Sequence, residues 1–210
     1  MALWGVKANP SRWVVLDVET TGLDPARDQL LSIAAVALHR EGVQWALCAG
    51  DAFEVRVQPE RPHERDKHNV LVHGIGFGEQ AAGTAPAQAL REFTAWLADS
   101  PWMGYHAPFD WAFLRRQCRE SGFQPPANPW LDLRDLTEEM GLNLPNPSLD
   151  DCLAQANIQM FKRHDAMADA WATAELWLTL WPRLRAKGLN EWSQIHRAAR
   201  HRRWLHRLSR

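Results

Sequence analysis

Residues 13–25 have the sequence WVVLDVETTGLDP, in which an apolar run leads directly into two acidic residues. The run at positions 13–16 is apolar on both faces of an extended chain, which is typical of a strand at the centre of a sheet. Side chains two positions apart on a strand share a face, so Asp17 and Glu19 are expected about 7 Å apart on one side. Turn-forming residues follow at positions 20–25. The pattern predicts two carboxylates at the carboxyl end of a buried strand.

A second acidic motif contains Asp110, which precedes a helical pattern of apolar residues at Phe113, Leu114 and Cys118. It falls on the same stripe, where burying a carboxylate is costly unless a positive charge compensates it. The alternative is a helix N-cap, because Asp is favoured there and its carboxylate can accept backbone N–H groups. Taken alone, the pattern favours the cap.

A third motif contains Asp169, which lies in the apolar, helix-favouring run 166–177. Its spacing to the apolar residues that follow places it on the buried face of the helix, so its carboxylate is expected to point at a neighbouring element and not at water. His164 is five residues earlier, so both side chains can reach one site only if His164 precedes the helix. We therefore expect Asp165 to be the N-cap. Without the other motifs, a loop histidine and a plain cap would be the better interpretation of these two residues.

Carboxylates that converge need a positive partner, because two unit charges 4 Å apart repel by roughly 4 kcal/mol at an effective dielectric constant near 20. Oxygen-only ligands suit Mg²⁺ or Mn²⁺, and two such ions can stabilise the attacking and the leaving oxygen of a phosphoryl displacement. A nearby histidine can deprotonate the attacking water. Together the motifs indicate a metal-dependent phosphodiester-cleaving site.

The three motifs, in this order, resemble those of the DnaQ-like (DEDDh) 3′→5′ exonuclease family, which includes the proofreading epsilon subunit of bacterial DNA polymerase III. The family pattern is Asp-x-Glu on a strand, Phe-Asp at a helix start, and His-x4-Asp. The resemblance extends from about Trp13 to about Trp181. It implies that Asp17 bridges two metal ions and that Glu19 and Asp169 hold the ion that carries the nucleophilic water. Asp110 would support the second ion, and His164 would be the general base.

The resemblance also implies contacts to the terminal nucleotide. The backbone of residues 20–23 would grip this nucleotide, with Leu23 packing on its base, and residues 73–75 would line the facing wall. Gly22 in this turn is able to take a positive φ and let a ligand approach the backbone. Many relatives have His-Asn where this chain has Tyr105-His106, which bears on substrate contacts and not on metal binding. The expected substrate-binding residues are Thr20, Thr21, Gly22, Leu23, His73, Ile75 and, as a neighbour of Asp110, Trp111.

The order of elements predicts an α/β fold, an RNase H-like mixed sheet flanked by helices. Strands come first, as an antiparallel meander, and helices then alternate with further strands. The predicted strands are near 13–19, 30–39, 43–57, 102–106 and 130–133, and the predicted helices include 84–99, 148–156 and those of Asp110 and Asp169. Of twelve tryptophans, Trp13, Trp171 and Trp177 are expected in the core.

Length and composition fit one exonuclease domain, residues 1–182, followed by a basic helical tail, residues 183–210. The tail has nine Lys and Arg residues and one acid, whereas the whole chain has a net charge of −1. Its amphipathic pattern suits an interaction with a nucleic-acid backbone or packing on the domain about equally. Docking to a polymerase or another protein is a third interpretation.

The longest largely apolar stretch, residues 30–38, is shorter than the roughly 20 residues that a membrane span needs, and no export signal opens the chain. Three widely spaced cysteines indicate neither a disulfide framework nor a zinc site. We expect a cytoplasmic protein with no membrane partner.

We therefore expect a two-metal-ion 3′→5′ exonuclease that releases nucleoside monophosphates from single-stranded or frayed DNA. An exoribonuclease acting on RNA or short oligoribonucleotides is the alternative, because a motif does not show contacts to the 2′-OH. A non-catalytic module that binds nucleic acid or a polymerase is a third hypothesis, against which the intact set of five residues argues.

Overall fold

The computed structural model describes residues 9–60, 67–141, 146–160 and 162–208. Its centre is a five-stranded sheet with the order β3-β2-β1-β4-β5. The first three strands are antiparallel neighbours, whereas β4 pairs parallel with β1 and β5 pairs parallel with β4. The predicted mixed sheet is therefore confirmed. The strands are β1 (Arg12–Thr20), β2 (Leu30–Glu41), β3 (Gln44–Arg56), β4 (Trp102–Gly104) and β5 (Trp130–Asp132).

Helices occupy both faces of the sheet, and a 3₁₀ helix, Leu133–Met140, follows β5. None of the described helices combines the length and the apolar character needed to cross a membrane. The α-helices are α1 (Lys67–His73), α2 (Phe77–Ala81), α3 (Pro86–Leu97), α4 (Ala107–Glu120), α5 (Leu149–Gln155), α6 (Ala166–Ala186) and α7 (Trp192–Leu208).

Strand β1 is apolar on both faces because each face is covered by a separate hydrophobic cluster. Trp13 and Val15 belong to the cluster under α6 and α7, and Val14 and Leu16 to the cluster under α3 and α4. This alternation of side chains is the reason for the continuous apolar run before Asp17. The strand is thus fixed from both sides immediately before its acidic residues.

Tryptophan rings dominate the cluster under α6 and α7. The ring of Trp13 lies 4.2 Å from that of Trp45, 5.4 Å from Trp177 and 5.1 Å from Trp192, measured between centroids. Trp13 and Trp177 are fully buried, as predicted, whereas Trp171 is only partly buried against this cluster. Because Trp192 is the first residue of α7, the C-terminal helix contributes to the core.

Helix α7 packs on the rest of the domain. This agrees with the interpretation of the basic tail, residues 183–210, as a helix packed on the same domain. Besides Trp192, its apolar residues Ile195 and Ala199 are buried in the same cluster. Arg202 is paired with the buried Glu139, and Arg203 with Asp135 at 2.6 Å. Helix α6 runs to Ala186, so the polypeptide is helical across the expected boundary between residues 182 and 183.

Candidate active site

The carboxyl end of β1 and the first turn of α6 bring three of the predicted acids together. Asp17, Glu19 and Asp169 each offer a carboxylate oxygen, and these oxygens all lie within 4.8 Å of one another. Asp17 and Glu19 project from one side of the strand, as their spacing predicts. Asp169 is 5% exposed and lies beside them. The first and third motifs therefore converge across the fold.

Asp110 joins this cluster from helix α4. The helix begins at Ala107 with His106 as its N-cap, so Asp110 lies inside the first turn and is not the cap. Its side chain is 3% exposed, and its Oδ1 accepts a hydrogen bond from the backbone N–H of Val18 at 3.2 Å. Gly104 permits this close packing, because a Cβ there would lie 2.9 Å from the Leu16 carbonyl oxygen.

His164 precedes α6, as its spacing to Asp169 requires. Asp165 is the N-cap, and its side chain accepts a hydrogen bond from the backbone N–H of Ala168. His164 has a left-handed backbone with φ of +57°, and its own N–H donates to Asp169 Oδ2 at 3.2 Å. The exposed imidazole lines the same cleft as the acids. The backbone turn thus holds His164 and Asp169 together although they are five residues apart.

Arg163 is a component of the site that the sequence analysis missed. Its guanidinium is paired with Asp169 Oδ1, and its Nε lies 2.7 Å from the carboxylate of Asp150. Two signals were available in the sequence, since Arg163 directly precedes His164 and the clustered acids require compensating positive charge. The sequence does not show which basic side chain supplies that charge, because the path of the loop before α6 decides where Arg163 points.

The carboxyl groups of the cluster resist full ionisation. Burial raises the pKa of Asp17 well above its usual range, and the nearby carboxylates of Asp110, Asp169 and Glu19 raise it further. Burial and the charge of Asp169 raise the pKa of Glu19 to about 7. Burial also raises the pKa values of Asp110 and Asp169. Backbone hydrogen bonds to Asp110 and the positive charge of Arg163 beside Asp169 act in the opposite direction. The four oxygen-donor groups fit hard divalent cations such as Mg²⁺ or Mn²⁺, whose charge would relieve this repulsion.

The acids form the floor of a cleft with a volume of about 410 Å³. Leu23 is 85% exposed at its edge, a position from which it can pack on a ligand. Thr20 also lines the cleft, and its Oγ1 donates a hydrogen bond to the Gly22 carbonyl at 2.6 Å. The expected substrate-binding residues that line the cleft are Thr20, Gly22, Leu23 and His73.

The other three expected substrate-binding residues are not among the residues that line the cleft. Thr21 is buried, and its Oγ1 accepts a hydrogen bond from the backbone N–H of Gln29 at 2.9 Å. Ile75 is 2% exposed. Trp111 packs against Trp102, because adjacent residues on a helix differ by about 100° in direction and Asp110 points into the cluster.

Gly22 is required for a different reason from the predicted one. Its φ is not positive. A Cβ at this position would lie 2.4 Å from Asp28 Oδ2, an oxygen that accepts a hydrogen bond from the backbone N–H of Asp24. Glycine therefore allows the Asp28 side chain to pack inside the turn and fix its shape.

The Tyr105-His106 pair joins the cleft to the neighbouring loops. Tyr105 lines the cleft, and its hydroxyl donates to the carbonyl of Pro147 at 2.5 Å. His106 has a φ of +76°, and its backbone N–H donates to Asp132 Oδ1 at 2.9 Å. These contacts hold the segment before α4, and thereby Asp110, against β5 and the loop before α5.

One protein family and several known proteins are similar to this chain. The family model RNase_T, described as Exonuclease, matches residues 14–177. A DNA polymerase III subunit epsilon-like protein of Rhodobacter capsulatus is 34% identical over 186 residues, which are 87% of this chain and 25% of that protein. The PolC-type DNA polymerase III of Thermotoga maritima is 29% identical over 88% of this chain and 13% of its own length. The chain thus spans a quarter or less of the length of these curated relatives.

Solved structures share the fold. Exonuclease I of E. coli, in complex with a dT13 oligonucleotide, superposes with a TM-score of 0.71 and 23% identity, over 84% of this chain and 42% of that one. Cell-death related nuclease 4 also gives a TM-score of 0.71, with 18% identity, over 81% of this chain and 63% of that one.

Proposed function

The chain belongs to the exonuclease family, and from this membership we propose that it is a two-metal-ion 3′→5′ exonuclease. Its substrate would be the 3′ end of single-stranded or frayed DNA, and its products nucleoside monophosphates. The family assignment agrees with the resemblance to DnaQ-like enzymes inferred from the motifs. The observation that carries the proposal is the convergence of Asp17, Glu19 and Asp169 within 4.8 Å, with Asp110 buried beside them.

Each acid has a distinct role in this proposal. Asp17 interacts electrostatically with Asp110, Asp169 and Glu19, which suits a carboxylate that would be shared by two divalent ions. Glu19 and Asp169 would hold one ion, and Asp110 the other. Bound Mg²⁺ or Mn²⁺ would supply positive charge for the attacking water and for the departing 3′ oxygen.

His164 is proposed as the general base. Its ring lines the cleft beside Asp169, and an imidazole can take a proton from an attacking water near neutral pH. The proton would leave the water oxygen as that oxygen forms its bond to phosphorus. The bond between phosphorus and the 3′ oxygen of the preceding nucleotide then breaks, so a nucleoside monophosphate is released.

The cleft supports action at a chain end. Leu23 and His73 both line the cleft, and the exposed side chain of Leu23 could stack against the terminal base. DNA is proposed as the preferred substrate because the similar exonuclease I was solved with DNA oligonucleotides and the relatives are named as epsilon-like or PolC-type DNA polymerase III proteins. A strong preference for RNA over DNA in digestion would replace this proposal with that of an exoribonuclease.

A partner and a cellular location complete the proposal. A polymerase is the proposed protein partner, because the similar proteins are a DNA polymerase III subunit epsilon-like protein and a PolC-type DNA polymerase III. The basic residues on the outer side of α7, among them Arg197 and Arg200, are exposed and could contribute to such an interface or to nucleic-acid binding. The three cysteines are free, which suits the reducing cytoplasm.

The test is digestion of matched 5′-labelled single-stranded DNA and RNA oligonucleotides in the presence of Mg²⁺ or Mn²⁺. We expect a descending ladder on DNA that Asp17→Ala abolishes and His164→Ala reduces by at least about 100-fold, in line with general-base catalysis. His164→Asn is the matched variant, because Asn tolerates the left-handed backbone that strains Ala. Tight binding without a ladder, unchanged by Asp17→Ala, would instead indicate a non-catalytic binding module.

A further inference from the structure

Arg163 is the only Arg or Lys among the described residues that line the cleft. Its side chain contacts two acids that differ greatly in exposure. The side chain of Asp169 is 7% exposed and that of Asp150 is 63% exposed. Asp169, in the first turn of α6, belongs to the acid cluster, whereas Asp150 lies in the first turn of α5. Arg163 therefore connects the interior of the cluster with its rim.

Both carboxylate oxygens of Asp169 are occupied by contacts within the protein. Arg163 is paired with Oδ1 of Asp169, while Oδ2 accepts the backbone N–H of His164. The positive charge of Arg163 also lowers the pKa values of Asp17 and Glu19, against the effect of burial. Arg163 thus supplies part of the positive charge that the clustered acids require.

The Arg163 guanidinium and a divalent ion cannot both bind the Asp169 carboxylate without unfavourable electrostatic repulsion. Both are positive, and within one carboxylate cluster their repulsion would offset part of the attraction of each for Asp169. A divalent ion with the higher charge would displace Arg163 from Oδ1. Asp150 would then keep the displaced guanidinium at the rim of the cleft, since its carboxylate lies 2.7 Å from Nε.

We propose that Arg163 is an internal counter-ion of the acid cluster when no metal is bound. When divalent ions bind, the Arg163 side chain leaves Asp169 and contacts a backbone phosphate of the nucleic acid. The proposal rests on the proposed nuclease function. A guanidinium suits the second role because its planar N–H groups match two phosphate oxygens. Asp150 is a positioning residue that acts through Arg163. The order of events follows, because the phosphate-binding group becomes available only once metal is bound.

The first experiment measures metal binding without nucleic acid, by titrating Mn²⁺ into metal-free protein in a calorimeter. We expect Arg163→Gln to bind Mn²⁺ about three- to tenfold more tightly than the parent, because the internal competitor is gone. Asp150→Asn should bind it more weakly, because Arg163 then pairs with Asp169 alone. Arg40→Gln, which removes the remote ion pair with Glu191, is the matched control and should change nothing. Equal or weaker Mn²⁺ binding by Arg163→Gln would overturn the counter-ion role.

The double variant Arg163→Gln/Asp150→Asn tests the positioning role. If Asp150 acts through Arg163, the second substitution has no further effect on Mn²⁺ affinity once Arg163 is absent. A reduction of the same size in both backgrounds would mean that Asp150 acts on the metal directly, which contradicts the proposed relay.

The second experiment measures nucleic acid at saturating Mn²⁺. Arg163→Gln should raise KM for single-stranded DNA about tenfold with kcat within about threefold, and Arg163→Lys should restore part of the KM. An unchanged KM would overturn the phosphate role. Fluorescence anisotropy with a labelled oligonucleotide gives the same comparison if the parent proves inactive. The Mn²⁺ titrations likewise test the counter-ion role apart from catalysis.

Discussion

The backbone N–H of Val18 donates a hydrogen bond to the side chain of Asp110, whose Oδ1 lies 3.2 Å away. Val18 stands between Asp17 and Glu19, so the main chain of the first motif holds the acid of the second. Residues 92 positions apart are thereby joined within the cluster. The bond requires an acceptor at Asp110 but not a charge, and this distinction can be tested by substitution.

Asp110→Asn and Asp110→Ala should separate chemistry from structure. Both remove a proposed metal ligand and should abolish nuclease activity. Asn keeps an oxygen for the Val18 N–H, whereas Ala leaves that buried N–H without its partner, at a cost of about 1–3 kcal/mol. Urea unfolding of the metal-free proteins should therefore show Asp110→Ala clearly less stable than Asp110→Asn. Equal stability of the two variants would contradict the importance of the hydrogen bond.

Asp17→Asn should make the metal-free protein more stable while it inactivates the enzyme. Burial and three neighbouring carboxylates raise the pKa of Asp17, so its ionised form is disfavoured in the folded state. We expect the free energy of unfolding to rise by about 1–2 kcal/mol at pH 8, and the stabilisation by added Mn²⁺ to fall. Thermal unfolding with EDTA and with Mn²⁺ measures both effects. A less stable metal-free variant would show that the acids do not repel one another appreciably.

Leu23→Ala and Trp111→Ala should have opposite consequences. Leu23 is exposed at the edge of the cleft, so its truncation should raise KM about tenfold and leave thermal stability nearly unchanged. Trp111 packs against Trp102 away from the cleft, so its truncation should cost about 2–4 kcal/mol of stability with little effect on KM. Steady-state kinetics and denaturant unfolding of the two variants provide the comparison. A large rise in KM for Trp111→Ala would return this residue to the substrate-binding site.

Acid should weaken the protein through Asp51, which is not among the residues that line the cleft. Hydrogen bonds from Arg12, at 2.7 and 2.9 Å, and from His39 lower the pKa of Asp51 from 3.8 to about 2. A lowered carboxyl pKa contributes stability above the unfolded value of 3.8 that is lost as pH falls toward 2. After allowance for solvent screening we expect about 1 kcal/mol. Asp51→Asn should therefore be less stable than the parent at pH 6, and the difference should shrink between pH 4 and pH 2.

The acids of the site were predictable because regular geometry governs them. Asp17 and Glu19 follow the two-residue period of a strand, and the position of His164 before α6 follows from its spacing to Asp169. The same helical geometry could have excluded Trp111 once Asp110 was placed in the cluster. Family resemblance supplied the roles, whereas strand and helix periods supplied the directions of the side chains.

Irregular backbone accounts for what the sequence pattern missed. The pairing of β1 with β2 changes register between Glu19 and Thr20, so strand alternation no longer gives the directions of Thr20 and Thr21. The need for Gly22 arises from Asp28, across a turn whose shape local propensities do not specify. Arg163 escaped notice because the loop before α6, and not a helical or strand period, directs its side chain.

The tryptophan cluster gives this protein an optical property. Five indoles, of Trp13, Trp45, Trp177, Trp181 and Trp192, are in contact through ring centroids 4.2 to 6.4 Å apart. At such separations an absorbed photon can pass between rings before it is emitted, so these residues emit as one group. They are drawn from two strands and two helices, and α7 contributes only Trp192. Emission from this group would therefore report whether the C-terminal helix is seated, without any attached dye.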